Sequence, residues 1–494
     1  MRAGCVSAET GLWGRQKGPG VSLEPIGVFF ILLGIMVLRR GPVFGVSMLI
    51  LSMIFGSSAA LILAGTTIQP AHLLLGFTAA SVLTRPGIWS VVTARLTFPR
   101  EGFWFVATAA VGIVGAFILP RFFAGAAYVA AIGATDGPSA PILVPLSPTT
   151  GNLTQSVYFI GDIVCFLVCY IVARTREGLE AVTKAALAYC ALNIFFAVVD
   201  LATFWTGTAF LLDFMRNATY TIHDDTVVNG LKRINGSFTE AAAFASSSMW
   251  AGSFAFRLWL GNIRPQLTFW LAMINMLLVI FCTSTSGYVA LPVVLAIIYA
   301  ESLLRLVRGG PLPRSVYAYL AFAPLLLAVI TAAVLLTPSL AETIYGMMQD
   351  FVLNKGTSQS AAERGMWNQT ALETFFATYG LGAGIGTVRA SSFPLAVLAN
   401  LGAIGALTYG IFILMVLFKP AIRPLDWATI QVRAAVRIGC LVGLIMATIS
   451  GTLIDLGLPF YMLAGIACAT CDLETGARKQ TAETVRPARA EVMG

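Results

Sequence analysis

Two cations, Lys232 and Arg233, stand shortly before Glu240 in the stretch LKRINGSFTEAAAFASSSMW, residues 231–250, where a polar loop gives way to a small, apolar run. A guanidinium is planar, permanently charged and able to donate two parallel hydrogen bonds to phosphate oxygens. At about 4 Å and an intermediate effective dielectric, each cation–phosphate pair gains roughly 4 kcal/mol before desolvation. Such cations suit a diphosphate, which they would hold and stabilise as it departs, and a carboxylate beside them suits activation of an attacking hydroxyl. The same loop, 213–239, adds Arg216, His223 and Asp225, and a second polar stretch, 338–391, adds Arg364, Arg389 and Ser391. For any one arginine the plain account is a solvated charge paired with a neighbouring acid. Two roles stay open for Glu240: work on a hydroxyl, or an ion pair with Arg233.

The elements that must carry these residues are membrane helices. The chain has 494 residues, of which 57% are hydrophobic and only 11% charged, with a mean hydropathy of +0.83. A soluble protein has about a quarter of its residues charged. Apolar runs fall near 25–38, 43–65, 68–84, 103–120, 157–173, 183–206, 240–260, 266–282, 286–303, 316–337, 392–418, 436–453 and 457–471. A run of this kind crosses roughly 30 Å of hydrocarbon at 1.5 Å per residue. The expected fold is an all-α, polytopic transmembrane helix bundle of about 12–13 spans, with a large periplasmic loop containing short helices. The net charge of +8 lies in short loops rather than on one face, which speaks for membrane topology and against a nucleic-acid partner.

Basic residues recur in alternate loops: Arg85, Arg95 and Arg100; Arg174, Arg176 and Lys184; Arg257 and Arg264; Arg305, Arg308 and Arg314; Lys419, Arg423, Arg433 and Arg437. The positive-inside rule makes these loops cytoplasmic, and the C-terminus with them. The longer loops 121–156, 213–239 and 338–391 then face the periplasm. The expected organisation is a polar N-terminal tail over 1–24 without the pattern of a cleavable signal, a first half-bundle over 25–212, a periplasmic loop over 213–239, helices over 240–337, the large loop over 338–391, helices over 392–472 and a cytoplasmic tail over 473–494. Parity places the N-terminus outside, against the preference of Arg15 and Lys17.

Other motifs carry less chemistry. In YGLGAGIGTVRASS, 379–392, the glycine spacing imitates a dinucleotide fingerprint, but a helical membrane chain has no βαβ unit to hold one. An anion-binding turn and a flexible loop both remain open there. CTSTSGY, 282–288, suits helix caps or sugar hydroxyls. The eight cysteines, including Cys468 and Cys471 at CxxC spacing, read as small buried hydrophobes rather than ligands. Asp162 and Asp200 fall near the ends of their apolar runs and carry little weight. SAAERGMWNQTALETFF has helical spacing, with Trp367, Leu372 and Phe375 as an apolar edge, and is expected as an amphipathic helix on the outer surface or packed into the bundle.

With these residues in view the chain resembles the O-antigen ligase and polymerase family of bacterial membrane glycosyltransferases. RINGSFTEAAAFAS is similar to that family's arginine–glycine–phenylalanine–glutamate lead into a helix, and AAERGMWNQTALETFFATYGLGAGIGT to its outer-loop arginine, tryptophan and glycine-rich turn. ASSFPLAVLANLGAIGALTYG resembles the apolar helix that follows, and TSTSGY a Ser/Thr segment in which Gly287 replaces the usual arginine. The resemblance covers about residues 230–410. Where the ligase branch has a histidine after the glycine turn, this chain has Arg389-Ala390-Ser391-Ser392, and its two histidines are His72 and His223.

The resemblance therefore implies a glycan polymerase of O-antigen, lipopolysaccharide or exopolysaccharide biosynthesis in the bacterial inner membrane. It would be metal-independent and without a cofactor, transferring an undecaprenyl-diphosphate-linked glycan to a sugar hydroxyl of another lipid-linked unit. Arg233, Arg364 and Glu240 would be catalytic; Arg389, Arg216, Lys232, His223 and Ser391 would bind substrate. Chain-length-regulating and export proteins are the expected protein partners. A ligase differs only in its acceptor, a lipid A core or another molecule. A transporter or flippase of lipid-linked sugars would instead show charges at mid-membrane and paired broken helices.

Overall fold

The structure, a computed structural model, describes residues 20–63, 66–130, 143–219, 227–228, 231–309, 311–348, 359–421 and 424–472. His223 and Asp225 lie outside them. The chain is mostly helical: α1 Pro25–Arg40, α2 Pro42–Ser52, α3 Pro70–Leu83, α4 Ile88–Leu96, α5 Glu101–Phe122, α6 Thr150–Ala173, α7 Arg176–Trp205, α8 Ala241–Leu260, α9 Pro265–Phe281, α10 Thr285–Val307, α11 Arg314–Leu336, α12 Pro338–Met348, α13 Gln359–Ala377, α14 Phe393–Phe418, α15 Trp427–Ser450 and α16 Leu458–Ala469. Among the described residues seven helices, α5, α6, α7, α10, α11, α14 and α15, are long and apolar enough to cross a membrane, the architecture of a multi-pass membrane protein. Four more apolar helices, α2, α3, α9 and α16, are shorter.

Small residues explain the centre. α8 reads AAAFASSSMWAGSFAFRLWL and is buried along nearly its whole length, because Ala, Ser and Gly let neighbouring backbones approach from every side. It packs against α7, α9, α10 and α15. Asn193 of α7 joins it to α9, donating to Ser248 Oγ at 2.8 Å and Asn275 Oδ1 at 2.9 Å. α11 is the opposite case: only Val316 is buried along it, and its Leu, Ile and Val side chains face outward, as suits a helix bounded by lipid.

Contacts define two ends of the bundle. Arg257 of α8 donates to Gln431 Oε1 of α15 at 2.8 Å, and Trp427 Nε1 to Gly261 O at 2.9 Å, so these helices run antiparallel. At that end a buried ion network ties four segments together: Arg95 meets Glu101 at 2.6 Å and also Asp472, while Lys419 meets Glu101 at 2.9 Å. The start of α8 and the finish of α15 lie at the other end, where Ala390 N–H donates to Thr452 O. This loop end carries 213–219, 231–240, 283–285, 378–392 and the start of 451–457. It also carries short antiparallel pairings absent from the all-α expectation: β1 Val21–Leu23 with β2 Leu61–Leu63 and β3 Thr66–Ile68, β4 Tyr128–Ala130 with β5 Leu143–Pro145, and β6 Val227–Val228 with β7 Leu231–Lys232.

Several expected boundaries shift. α6 starts at Thr150 rather than 157, because Asn152 Oδ1 accepts from the Thr149 N–H at 2.8 Å and caps a polar first turn that hydropathy passes over. Asp162 consequently lies halfway along α6 rather than near its end. α15 starts at Trp427, so Arg433 and Arg437 lie inside it and donate to the carbonyl of Lys419. α2 ends at Ser52, and the apolar run beyond it is a loop and a strand.

Candidate functional site

At the loop end one acid organises a whole segment. Asp200, one turn before the finish of α7, is 1% exposed. Its Oδ1 takes Arg216 Nη2 at 2.5 Å and Lys232 Nζ at 3.1 Å, and its Oδ2 takes the amides of Asn235 and Gly236 at 2.9 and 3.0 Å. Arg216 also donates to Gly236 O at 2.9 Å, and the Lys232 ammonium rests over the Phe204 ring. A buried carboxylate is tolerable only when its lone pairs are satisfied in this manner. The segment is then stitched to the loop after α2: Ser58 Oγ donates to Met215 O at 2.6 Å, Asn217 Nδ2 to Ala59 O at 3.2 Å and Ser237 Oγ to Ile54 O at 2.6 Å. Arg216 and Lys232, expected to face substrate, are thus buried against Asp200 and position the loop. Sequence reasoning set Asp200 aside; the available signal was an acid at the loop end of a helix with two cations in the next loop.

Arg233 points elsewhere. It is half-buried beside Cys282 and Tyr288, at the turn CTSTSGY, and its buried Nε has no hydrogen-bond partner among the described residues. In the same turn Thr283 sits at φ +53 with a buried, unpartnered Oγ1, and the hydroxyls of Ser284 and Ser286 meet at 3.0 Å. A side chain at Gly287 would meet Val279 Cγ1 and Ala245 Cβ at 2.8 and 3.4 Å, so no long side chain fits there without repacking. Glu240 caps α8 from an extended conformation, is exposed, and makes no side-chain capping bond. No ion pair joins it to Arg233 among the described residues.

The second group is built on α13, which covers the expected amphipathic stretch. Its buried stripe is Trp367, Thr370, Ala371 and Thr374, whereas Leu372 and Phe376 are exposed. α13 packs on α14 and β4, and small and hydroxyl side chains allow a close approach. The Arg389 guanidinium lies 4.0 Å over the Trp367 ring, and Asn368 Oδ1 accepts from Ser391 N–H at 2.8 Å. Arg364 is exposed one turn before Asn368, a spacing that shares a helix face. Arg364, Arg389 and Ser391 therefore gather at one corner, at the same end of the bundle as Arg233 and Glu240.

The glycine-rich turn is packed into the bundle rather than loose. α14 is broken at Gly402, φ +65, and the turn fills the break: Ala383 N–H donates to Ala399 O at 2.7 Å, Gly384 N–H to Asn400 O at 2.9 Å, and Ala403 N–H to Gly380 O at 2.9 Å. Gly384 and Gly386, both at positive φ, lie directly on the backbones of Gly115 and Gly151. Asn400 Oδ1 accepts from the amides of Thr387 and Val388, and Asn152 Nδ2 donates to Ile385 O and Thr387 Oγ1, both at 2.7 Å. Amides spent in this way are not offered to a ligand. Below the turn an apolar groove of about 260 Å³ runs between α5 and α14, lined by Val111, Val114, Ile118, Leu381, Leu401 and Ile404. Among the described residues no three His, Cys, Asp or Glu side chains gather as metal ligands. Compared with protein-family models, curated proteins and solved structures, the chain matches none of them.

Proposed function

We propose that the protein is a membrane glycan polymerase that transfers a polyprenyl-diphosphate-linked glycan to a sugar hydroxyl of a second lipid-linked unit, at the periplasmic face of a bacterial inner membrane. One observation carries the reading. Arg233 presents a half-buried guanidinium with an unpartnered Nε, held on a rigid segment by Asp200, beside a turn of hydroxyls. A desolvated cation without a carboxylate is costly unless it meets an anion in the working state. Arg364 and Arg389 lie at the same end, Glu240 stands exposed at the head of α8, and the groove along α5 and α14 has the apolar lining a hydrocarbon chain requires.

In this mechanism Arg233 and Arg364 bind the donor's diphosphate and neutralise charge as it leaves, a stabilisation usually larger than any other single contribution. Glu240 orients or deprotonates the acceptor hydroxyl. Arg389, stacked on Trp367, and Ser391 line the acceptor side, while Arg216 and Lys232 act through the loop they fix. The glycosidic bond to the diphosphate breaks, the new bond forms to the acceptor oxygen, and its proton leaves through Glu240 or water. Purified protein with labelled lipid-linked repeat units tests the reading: chain extension is expected, transfer to an added lipid A core alone makes it a ligase, and the absence of any new bond refutes both.

A further inference from the structure

A pair of acids inside the bundle is untouched by that mechanism. Asp162 lies halfway along α6 and is 1% exposed, and among the described residues no donor reaches either of its carboxyl oxygens. Its carboxyl is within hydrogen-bonding reach of the Asp455 carboxyl. Asp455 belongs to the loop 451–457, which descends from the end of α15 to the middle of the bundle. The depth is fixed by two contacts: Cys165 Sγ donates to Leu458 O at 3.7 Å, and Tyr409 Oη donates to Ile454 O at 3.2 Å. α16 is accordingly a half-length helix that starts at mid-bundle.

The other titratable groups facing the pair are Cys165 on α6, Tyr409 on α14 and Tyr461 on α16. Tyr409 and Tyr461 bond each other, and no cation pairs with either acid among the described residues. Two carboxylates cannot both be ionised at hydrogen-bonding distance in a site from which water is largely excluded. One proton between them supplies the missing donor. Asp455 is half-buried and also accepts from Gly457 N–H at 2.6 Å, which makes it the member through which protons reach water.

We infer that Asp162 and Asp455 form a proton-binding site, holding one shared proton that fastens the loop 451–457 and the head of α16 into the bundle. Proton uptake from water is the only chemical step. Two carboxyls that face each other inside the bundle keep a shared proton that a solvated carboxyl would lose, since ionising both would leave like charges together away from water. The folded protein therefore binds this proton more tightly than the unfolded chain. The stabilisation is complete at low pH and is lost as pH rises through the folded value.

The test uses the full-length protein in lipid nanodiscs, with thermal unfolding followed across pH and infrared difference spectra taken in the protonated-carboxyl region. In wild type the unfolding temperature should fall as pH rises, and a protonated-carboxyl band should disappear over the same range. Asp162→Asn and Asp455→Asn each replace the proton by a permanent amide donor, so each should flatten the stability profile and remove that band. A band and a slope unchanged in both variants overturn the site. A band absent at every pH, or a slope abolished by sodium at constant pH, shows a cation site instead and overturns it equally. The outcome does not depend on the polymerase reading, since neither measurement involves turnover.

Discussion

Asp200 and Arg233 show how a charge is spent in one case and saved in the next. Asp200 gathers Arg216, Lys232 and two amides, so its neutral isostere removes the carboxylate that two buried cations share. Asp200→Asn should cost about 3–5 kcal/mol of stability, the scale of breaking a buried ion pair, measured as a lower unfolding temperature of the detergent-solubilised protein. Arg233 has no such structural duty. Arg233→Ala should leave unfolding nearly unchanged while lowering polymerisation roughly 10²–10³-fold. Arg233→Lys should recover only part of that loss, because an ammonium lacks the bidentate fork. An Arg233→Ala protein that polymerises at the wild-type rate would remove this residue from the mechanism.

At the scale of elements, the break in α14 and the glycine turn that fills it form one unit. Gly386, at φ +82, has its Cα against the Gly151 backbone. Gly386→Ala adds both a left-handed strain and a backbone clash, and should cost roughly 2–5 kcal/mol, whereas Gly125→Ala, also at positive φ but with open space around it, should bear the strain alone. The start of α15 behaves as an ordinary cap. Asp426 accepts from the Thr429 hydroxyl at 2.6 Å and its amide at 3.3 Å, which hold its carboxyl below the usual range, the hydroxyl bond first. That stability is present above the unfolded value and fades as pH falls. Asp426→Ala should cost about 1 kcal/mol, a difference that shrinks in acid.

Across the whole molecule, the two ends differ in kind. One is closed by buried ion pairs around Arg95 and Glu101; the other carries the candidate site, the strand pairings and the deep loop. The proposed orientation makes Gln369, exposed on α13, reachable from outside, and Arg308, exposed after α10, reachable only from inside. A membrane-impermeant maleimide should therefore label Gln369→Cys in intact cells, and Arg308→Cys only after the membrane is opened. The described native cysteines are buried and should contribute little background. The reverse labelling pattern would move the site to the cytoplasmic face.

The residues alone were enough for a helical membrane bundle, for most helix positions and for the clustering of cations in two polar loops. Those are properties of composition and run length, set by the cost of polar groups in hydrocarbon, and each is written locally along the chain. What each cation does was not. Lys232 and Arg233 are neighbours in sequence, yet one is buried on Asp200 and the other is left facing a hydroxyl turn, because a carboxylate from α7 reaches only the first. Asp162 read as a helix-end acid until a capped polar turn lengthened α6 and a loop from the far end of the chain brought Asp455 to meet it. The glycine turn left an anion-binding turn and a flexible loop equally open, and only the break in α14 that receives it shows the turn packed into the bundle. Hydrophobic spacing reports that a helix exists; only packing decides which polar atoms find partners inside the bundle and which are left to meet something else.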